Sequence, residues 1–120
     1  MIAHVVLFEP RADLSREQRL DILESFRAAA EDVPAVRGIR IGRRVRHGLP
    51  GYESAMRENF EYVAILEFDD VEGLKAYLQH PAHVAAGRHF GASAAAALAY
   101  DYAIVRPEEL AALISDEKND

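Results

Sequence analysis

Four stretches of the chain have residue patterns that are typical of β-strands. Residues 2–8 and 61–68 carry apolar side chains on both faces. Residues 36–46 alternate isoleucine and valine with arginine, which predicts a strand with one solvated side. Residues 98–105 form the last predicted strand.

A first helix is predicted between the first two strands. Ser15 and Gln18 stand three positions apart, as in a capping box at a helix start. Apolar residues at spacings of three and four follow, which predicts one buried helix face over about residues 15–32. They are Leu20, Leu23, Phe26, Ala30 and Val33. Pro34 ends the helix.

A second helical region lies between the last two strands. Asp69 or Asp70 is expected to cap a helix, and His80-Pro81 interrupts it. Pro81 suits the first turn of a further helix, which runs to about residue 94. The order β-α-β-β-α-β predicts an α+β, ferredoxin-like fold with a four-stranded antiparallel sheet.

Two segments lie outside this pattern. Residues 47–60 have no clear period and are interpreted as a loop, either a lid over a pocket or a dimer contact. Residues 1–105 then form the domain, and residues 106–120 form a C-terminal extension. Within it, Pro107 to Ile114 predicts a short helix that docks on the domain or on a partner chain, before a charged tail.

The first strand, apolar on both faces, also predicts an assembly. Helices can cover one face of a four-stranded sheet, which leaves the second face apolar and open. Soluble monomers rarely expose such a patch. We therefore expect a homodimer in which this sheet face packs on a copy of itself.

Composition narrows the function classes. The chain has no cysteine, which excludes disulfides and zinc–thiolate sites and fits a cytoplasmic protein. The net charge of −6 argues against binding nucleic acid. No apolar run approaches the roughly 20 residues that cross a membrane, and the first apolar run is too short for a signal peptide.

Particular residues resemble a known family. The first strand Ile2 to Phe8, the element Tyr77-x-x-His80-Pro81-x-His83 and the closing Asp101-Tyr102 are similar to the stress-responsive dimeric α/β barrel (Dabb) family. The resemblance covers roughly residues 1–105 and implies a ferredoxin-like fold whose dimer forms a barrel. It also implies that any reaction proceeds without a cofactor.

The resemblance also implies site residues. A plant polyketide cyclase of the family has its base and its tyrosine at the positions of His83 and Tyr77, and a first-strand histidine at the position of His4. It has a histidine and a tyrosine where this chain has Ala64 and Phe26. We expect both positions to line a substrate site that is less polar than that of the cyclase.

The residue chemistry of His83 and Tyr77 agrees with this assignment. His83 falls in the first turn of the helix that Pro81 opens, where the helix dipole disfavours a charged imidazole and lowers its pKa. A neutral imidazole is a competent general base, and Tyr77 can donate a hydrogen bond to a carbonyl or enolate oxygen. Alternatively, His83 is a half-buried helix-start residue and Tyr77 belongs to the core.

The other histidines are open to two interpretations. His4 shares a strand face with apolar residues and is either a hydrogen-bonded core residue or a residue that orients a substrate. His80 is expected to cap the turn at Pro81. A metal site formed by His80 and His83 is the weaker alternative, since no carboxylate is obvious nearby, and no metal is predicted.

Arginines cluster along the second strand. They are Arg40, Arg43, Arg44 and Arg46. Their charge protects an exposed edge strand in one interpretation and forms an anionic ligand site in the other.

Two functions fit these features. The first is a cofactor-independent enzyme that transfers a proton at His83 on a small, fairly apolar, polyketide-like carbonyl compound, in a cyclisation or an isomerisation. The second is a non-catalytic dimeric ligand-binding or stress-associated protein. A pocket that reaches both His83 and Tyr77 favours the first, and a filled core favours the second.

Overall fold

The computed structural model describes residues 1–114, and the predicted charged tail from residue 115 to residue 120 lies outside them. The strands and α-helices are β1 (Ile2–Pro10), α1 (Arg16–Asp32), β2 (Gly38–Arg43), β3 (Tyr62–Phe68), α2 (Val71–Gln79), α3 (Pro81–Ser93) and β4 (Ala94–Ala103). Short 3-10 helices span Glu53–Ala55 and Pro107–Leu113. The predicted order, with its second helix broken in two, is confirmed.

The four strands form one antiparallel sheet in the order β2-β3-β1-β4. β1 is central, and it places His4 beside Leu66 of β3 on one side and Asp101 of β4 on the other. The ferredoxin-like fold predicted from the element order is therefore confirmed.

Local sequence signals explain where the helices begin. The Ser15 hydroxyl accepts a hydrogen bond from the Gln18 N–H at 3.1 Å, and the Gln18 side chain accepts one from the Ser15 N–H at 2.8 Å. This reciprocal capping box satisfies two N–H groups that the first turn leaves unpaired. At α2, the Asp70 carboxylate accepts a hydrogen bond from the Gly73 N–H at 2.8 Å.

The helices pack on one side of the sheet, which we call the inner face. Phe8 and Leu66 on this face are fully buried, and so is Ile22 of α1. The ring of Phe8 stacks on Phe26 of α1 at 5.3 Å between centroids. The core therefore lies between the sheet and α1 and α2.

The opposite side of the sheet, the outer face, is only partly covered in the single chain. On β4, Leu98, Tyr100 and Tyr102 are 41%, 55% and 51% exposed. Tyr100 stands beside Val5 of β1 on this face. The uncovered apolar face expected from the strand pattern is therefore present.

Two predicted boundaries differ from the structure. β4 begins at Ala94 rather than at residue 98, because Ala94 and the following alanines pair with the end of β1. β2 spans Gly38–Arg43 and is shorter than the predicted 36–46, because its ladder with β3 ends where Arg43 faces Tyr62.

The segment after β4 was expected to form a helix docked on its own domain or on a partner. It forms a 3-10 helix over Pro107–Leu113, but its apolar side chains stay exposed. Leu110, Leu113 and Ile114 are 59%, 50% and 85% exposed. Docking on its own domain is therefore wrong, and contact with a partner chain stays a prediction.

Within residues 1–114, no helix combines the length and the apolar character needed to cross a membrane. The cytoplasmic location that composition suggested stays a prediction.

Candidate functional site

A cavity of about 260 Å³ lies between the inner face of the sheet and helices α1, α2 and α3. Its polar lining comes mainly from His4, Tyr77 and His83, and most of its remaining wall is apolar. Phe26 also lines it. Ala64 is fully buried in the sheet between Val6 and Ile41 and does not line the cavity. The structure thus brings together four of the five predicted site residues.

Tyr77 lies at the centre of this group. It projects from α2 and is 2% exposed. Its ring centroid is 6.0 Å from that of His4 and 4.7 Å from that of His83. Burial raises the pKa of the Tyr77 hydroxyl to about 12, so the hydroxyl keeps its proton at neutral pH.

The break between α2 and α3 places His83. The Nδ1 atom of His80 accepts a hydrogen bond from the Ala82 N–H at 3.0 Å, and Pro81 occupies the first turn. The predicted capping role of His80 is confirmed. His83 therefore stands in the first turn of α3, facing Tyr77.

The tautomer of His83 follows from its backbone contact. Its Nδ1 atom lies 3.0 Å from the Leu78 carbonyl oxygen, which can only accept. Nδ1 must therefore carry hydrogen, and in the neutral ring Nε2 keeps a free electron pair.

The pKa of His83 is lowered, as predicted, but the main physical cause is different. Burial is the largest cause, and repulsion from His4 adds to it, while the hydrogen bond to Leu78 acts in the opposite direction. Desolvation therefore favours the neutral form of this imidazole.

Asp101 contacts the candidate site, although the sequence analysis did not assign it there. Its Oδ1 atom lies 2.6 Å from Nδ1 of His4, and the two side chains are 40% and 9% exposed. The contact ties Nδ1 of His4 to the carboxylate and leaves Nε2 on the other edge of the ring. A signal was present, since Asp101 is the one charged residue among the β4 positions paired with the inner-face residues Ile2, His4, Val6 and Phe8.

Metal ligation has little support in this region. Among the residues from 1 to 114, no three His, Cys, Asp or Glu side chains are grouped to hold an ion. The Nδ1 atoms of His80 and His83 are both engaged with the backbone.

The arginines of β2 and the following loop are paired with neighbouring polar groups. Arg43 and Arg46 both contact Glu61, and their hydrogen bonds lower the pKa of Glu61 to about 2. Arg44 donates to Asn59. These pairs favour the charged-edge interpretation over an anionic ligand site.

The loop 47–60 contributes nothing to the wall of the cavity. Its Tyr52 and Met56 are 59% and 61% exposed. The interpretation of this loop as a lid over the site is therefore wrong, and the dimer-contact alternative stays a prediction.

Solved structures share this fold. A dimeric ferredoxin-like protein of unknown function from Bacteroides fragilis is 28% identical, with a TM-score of 0.62, over 86% of this chain and 95% of that one. A Dabb family protein from Mesorhizobium loti is 19% identical, with a TM-score of 0.69, over 88% of this chain and 97% of that one. A hydroxynitrile lyase from Passiflora edulis is 14% identical, with a TM-score of 0.76, over 87% of this chain and 93% of that one.

No curated protein matches the chain significantly. The family model described as the stress responsive A/B barrel domain matches residues 2–104, which include all four strands and the whole cavity. The chain therefore belongs to the stress responsive A/B barrel domain (Dabb) family.

Proposed function

We propose that this chain is a cofactor-independent enzyme that transfers a proton on a small carbonyl compound bound in the cavity. The observation that carries the proposal is the convergence of His4, Tyr77 and His83 on one largely apolar cavity. A few polar groups in an apolar pocket are typical of a small-molecule site.

His83 is the base in this proposal. Its lowered pKa keeps the ring neutral near pH 7, and its Nδ1 hydrogen is held by the Leu78 carbonyl. Nε2 removes a proton from the carbon beside the carbonyl, and the C–H electron pair passes into an enolate. The imidazolium then returns the proton, to carbon in an isomerisation or to the new alkoxide after a ring-closing aldol step.

Tyr77 stabilises the oxygen on which negative charge develops. Its raised pKa means that it acts as a neutral donor and does not compete with His83 for the proton. A hydrogen bond of this kind strengthens as the carbonyl becomes an enolate, and so it favours the transition state over the bound substrate.

His4 orients the ligand from the sheet side, and Asp101 positions His4. Asp101 does not line the cavity, so it acts through the 2.6 Å contact with Nδ1 of His4. The carboxylate fixes the ring orientation and favours a hydrogen on Nδ1. Phe26 supplies an apolar wall against the carbon skeleton of the ligand. The apolar lining also suits a polyketide-like compound.

The protein acts as a homodimer in this proposal. Support comes from the exposed outer face, with Tyr100 and Tyr102 about half exposed, and from the dimeric state of the Bacteroides fragilis protein. Burying such a face removes an apolar patch that a monomer would expose.

Exchange of α-hydrogens tests the proposal without a known substrate. Acetophenone in D₂O exchanges its methyl hydrogens through the enolate, and proton NMR follows the loss of signal. We expect the wild-type protein to accelerate this exchange and His83→Gln to lower the acceleration about 100-fold or more. His89→Gln is the matched control, because His89 lies on the same helix, is exposed and does not line the cavity.

A different result favours a non-catalytic ligand-binding protein. The observation behind this second function is the largely apolar lining, which suits binding without chemistry. In this case acetophenone binds and shifts the NMR signals of the His83 ring, while its methyl hydrogens exchange no faster than in buffer. That result would contradict the catalytic proposal and support the binding function.

A further inference from the structure

The opening of the cavity lies between α3 and β4. Two of the residues that line the cavity are exposed to solvent, Gly87 on α3 and Ala99 on β4. Nine of the ten residues of β4 are exposed, so the helices leave this edge of the sheet uncovered. A ligand from solvent therefore reaches His4 and Tyr77 by passing Gly87 and Ala99, which we call the mouth.

Both mouth residues have minimal side chains. We infer that Gly87 and Ala99 determine which ligands enter the cavity, because larger side chains at either position would narrow the passage. The inference rests on the cavity being the ligand site of the proposed function, but it does not depend on catalysis by His83.

The helix pattern places position 87 on the cavity side of α3. His83, Ala86, Gly87 and Phe90 all line the cavity, and their spacing of three and four marks one helix face. A side chain at position 87 would therefore project from the face that carries His83 and Phe90, near the solvent boundary.

Neither packing nor backbone geometry requires glycine at position 87. A Cβ atom built there meets no other atom within 4 Å. The positive φ angles that favour glycine occur at Gly48 and Gly51 and not at Gly87. Glycine within a helix is unfavourable relative to other residues, so Gly87 can be replaced without loss of helix stability.

Ala99 reaches the same mouth from the sheet. It stands beside Val6 on the inner face, between Ala97 and Asp101 on its own strand. The two mouth residues therefore lie on different elements, and each can be altered without the other.

The volume of the cavity indicates the ligand class that the mouth admits. An apolar cavity of about 150 Å³ holds one benzene molecule. By that scale the 260 Å³ cavity takes about ten non-hydrogen atoms. The volume thus suits a single-ring carbonyl compound, and acetophenone is a suitable probe.

Binding kinetics separate a mouth residue from a residue that only fills the cavity. The experiment measures association and dissociation rates of acetophenone by NMR line shape and exchange spectroscopy on the full chain. Gly87→Val and Ala99→Val are expected to lower both rates about tenfold and to leave Kd within threefold, since a narrower passage slows entry and exit alike. The slowing is expected to be greater for 3-methylacetophenone, which is wider but still matches the volume of the cavity.

Matched controls exist on both elements. Gly91→Val lies one turn further along α3, also meets no atom within 4 Å of its Cβ, and is outside the cavity lining. Ala97→Val lies two residues before Ala99, is exposed and is also outside the lining. Both controls are expected to bind acetophenone with wild-type rates.

Four outcomes would overturn the inference. They are unchanged rates in both mouth variants, equal slowing in the controls, weaker binding that comes entirely from faster dissociation, or no binding of acetophenone by the wild-type chain. Slowed binding in the mouth variants without any α-hydrogen exchange in the wild type would support the inference and reject the catalytic proposal, so the two are separable.

Discussion

Tyr100 lies within the apolar outer face, beside Val5 and between Leu98 and Tyr102 on alternate positions of β4. Replacing it with aspartate tests whether this face forms the dimer. In a twofold dimer each substitution occurs twice, once in each copy, so the energetic effect is doubled.

The magnitude follows from the exposure of the side chain. Complete burial of a large apolar side chain stabilises by roughly 1.5–3 kcal/mol. Tyr100 is 55% exposed, so about 1 kcal/mol per protomer is available when the partner covers it. Loss of both contributions weakens dimerisation by about 2 kcal/mol, which is about 30-fold in Kd. Burying two carboxylates adds to this loss.

Sedimentation velocity over a micromolar concentration series measures the effect. We expect a dimer for the wild type and a shift toward monomer for Tyr100→Asp. Val71→Asp is the control, because Val71 is 49% exposed but begins α2 on the helical side of the sheet. An acidic residue there also suits the helix N-terminus. A monomeric wild type, or an unchanged dimer in Tyr100→Asp, would refute the reasoning.

Four further changes have defined outcomes. Because burial lowers the pKa of His83 below 6.5, the unfolded chain binds more protons at acid pH. The free energy of unfolding therefore falls as the pH drops from 6.5 to the folded-state pKa, by at most about 1.4 kcal/mol per pH unit. Urea titrations at several pH values should show this fall for the wild type and not for His83→Gln. Tyr77→Phe keeps the ring but removes the donor, and it should lower the exchange rate of acetophenone about 100-fold. Ser15→Ala removes the capping box and should cost about 1 kcal/mol, or about 4 °C in Tm by calorimetry. Asp101→Ala should abolish the downfield Nδ1–H signal of His4 in proton NMR spectra.

Each of these changes also has a result that contradicts it. Identical pH profiles for the wild type and His83→Gln would mean that His83 titrates normally. Full exchange activity in Tyr77→Phe would remove the proposed oxygen donor. An unchanged Tm for Ser15→Ala would mean that tertiary packing, and not the capping box, stabilises the start of α1. A persistent downfield signal in Asp101→Ala would mean that Nδ1–H of His4 donates to another partner.

Local signals allowed much of the fold to be predicted. The capping box of Ser15 and Gln18 acts over three residues, so the start of α1 was readable from sequence. The break at Pro81 was equally local, since proline has no N–H to continue a helix. The alanines from position 94 were harder, because alanine favours helices and only pairing with Pro10 and its neighbours in β1 makes them a strand.

The candidate site was predictable where one chain segment supplies it. Tyr77, His80 and His83 belong to one short element, and the structure keeps them together. Asp101 was missed because its partner His4 is 97 residues away and the strand register alone joins them. The volume of the cavity could not be predicted from the sequence either, since it depends on the distance between α3 and the sheet.

Because side chains alternate along β4, this one strand contributes to both faces of the sheet. Tyr100 and Tyr102 face outward to the predicted partner, while Ala99 and Asp101 face inward to the mouth and to His4. A slip of the strand by one residue would exchange the two sets, with tyrosines in the passage and a carboxylate in the interface. A change that displaces β4 would therefore act on both faces, and where ligand binding and self-association are coupled, each changes the affinity of the other by the same factor.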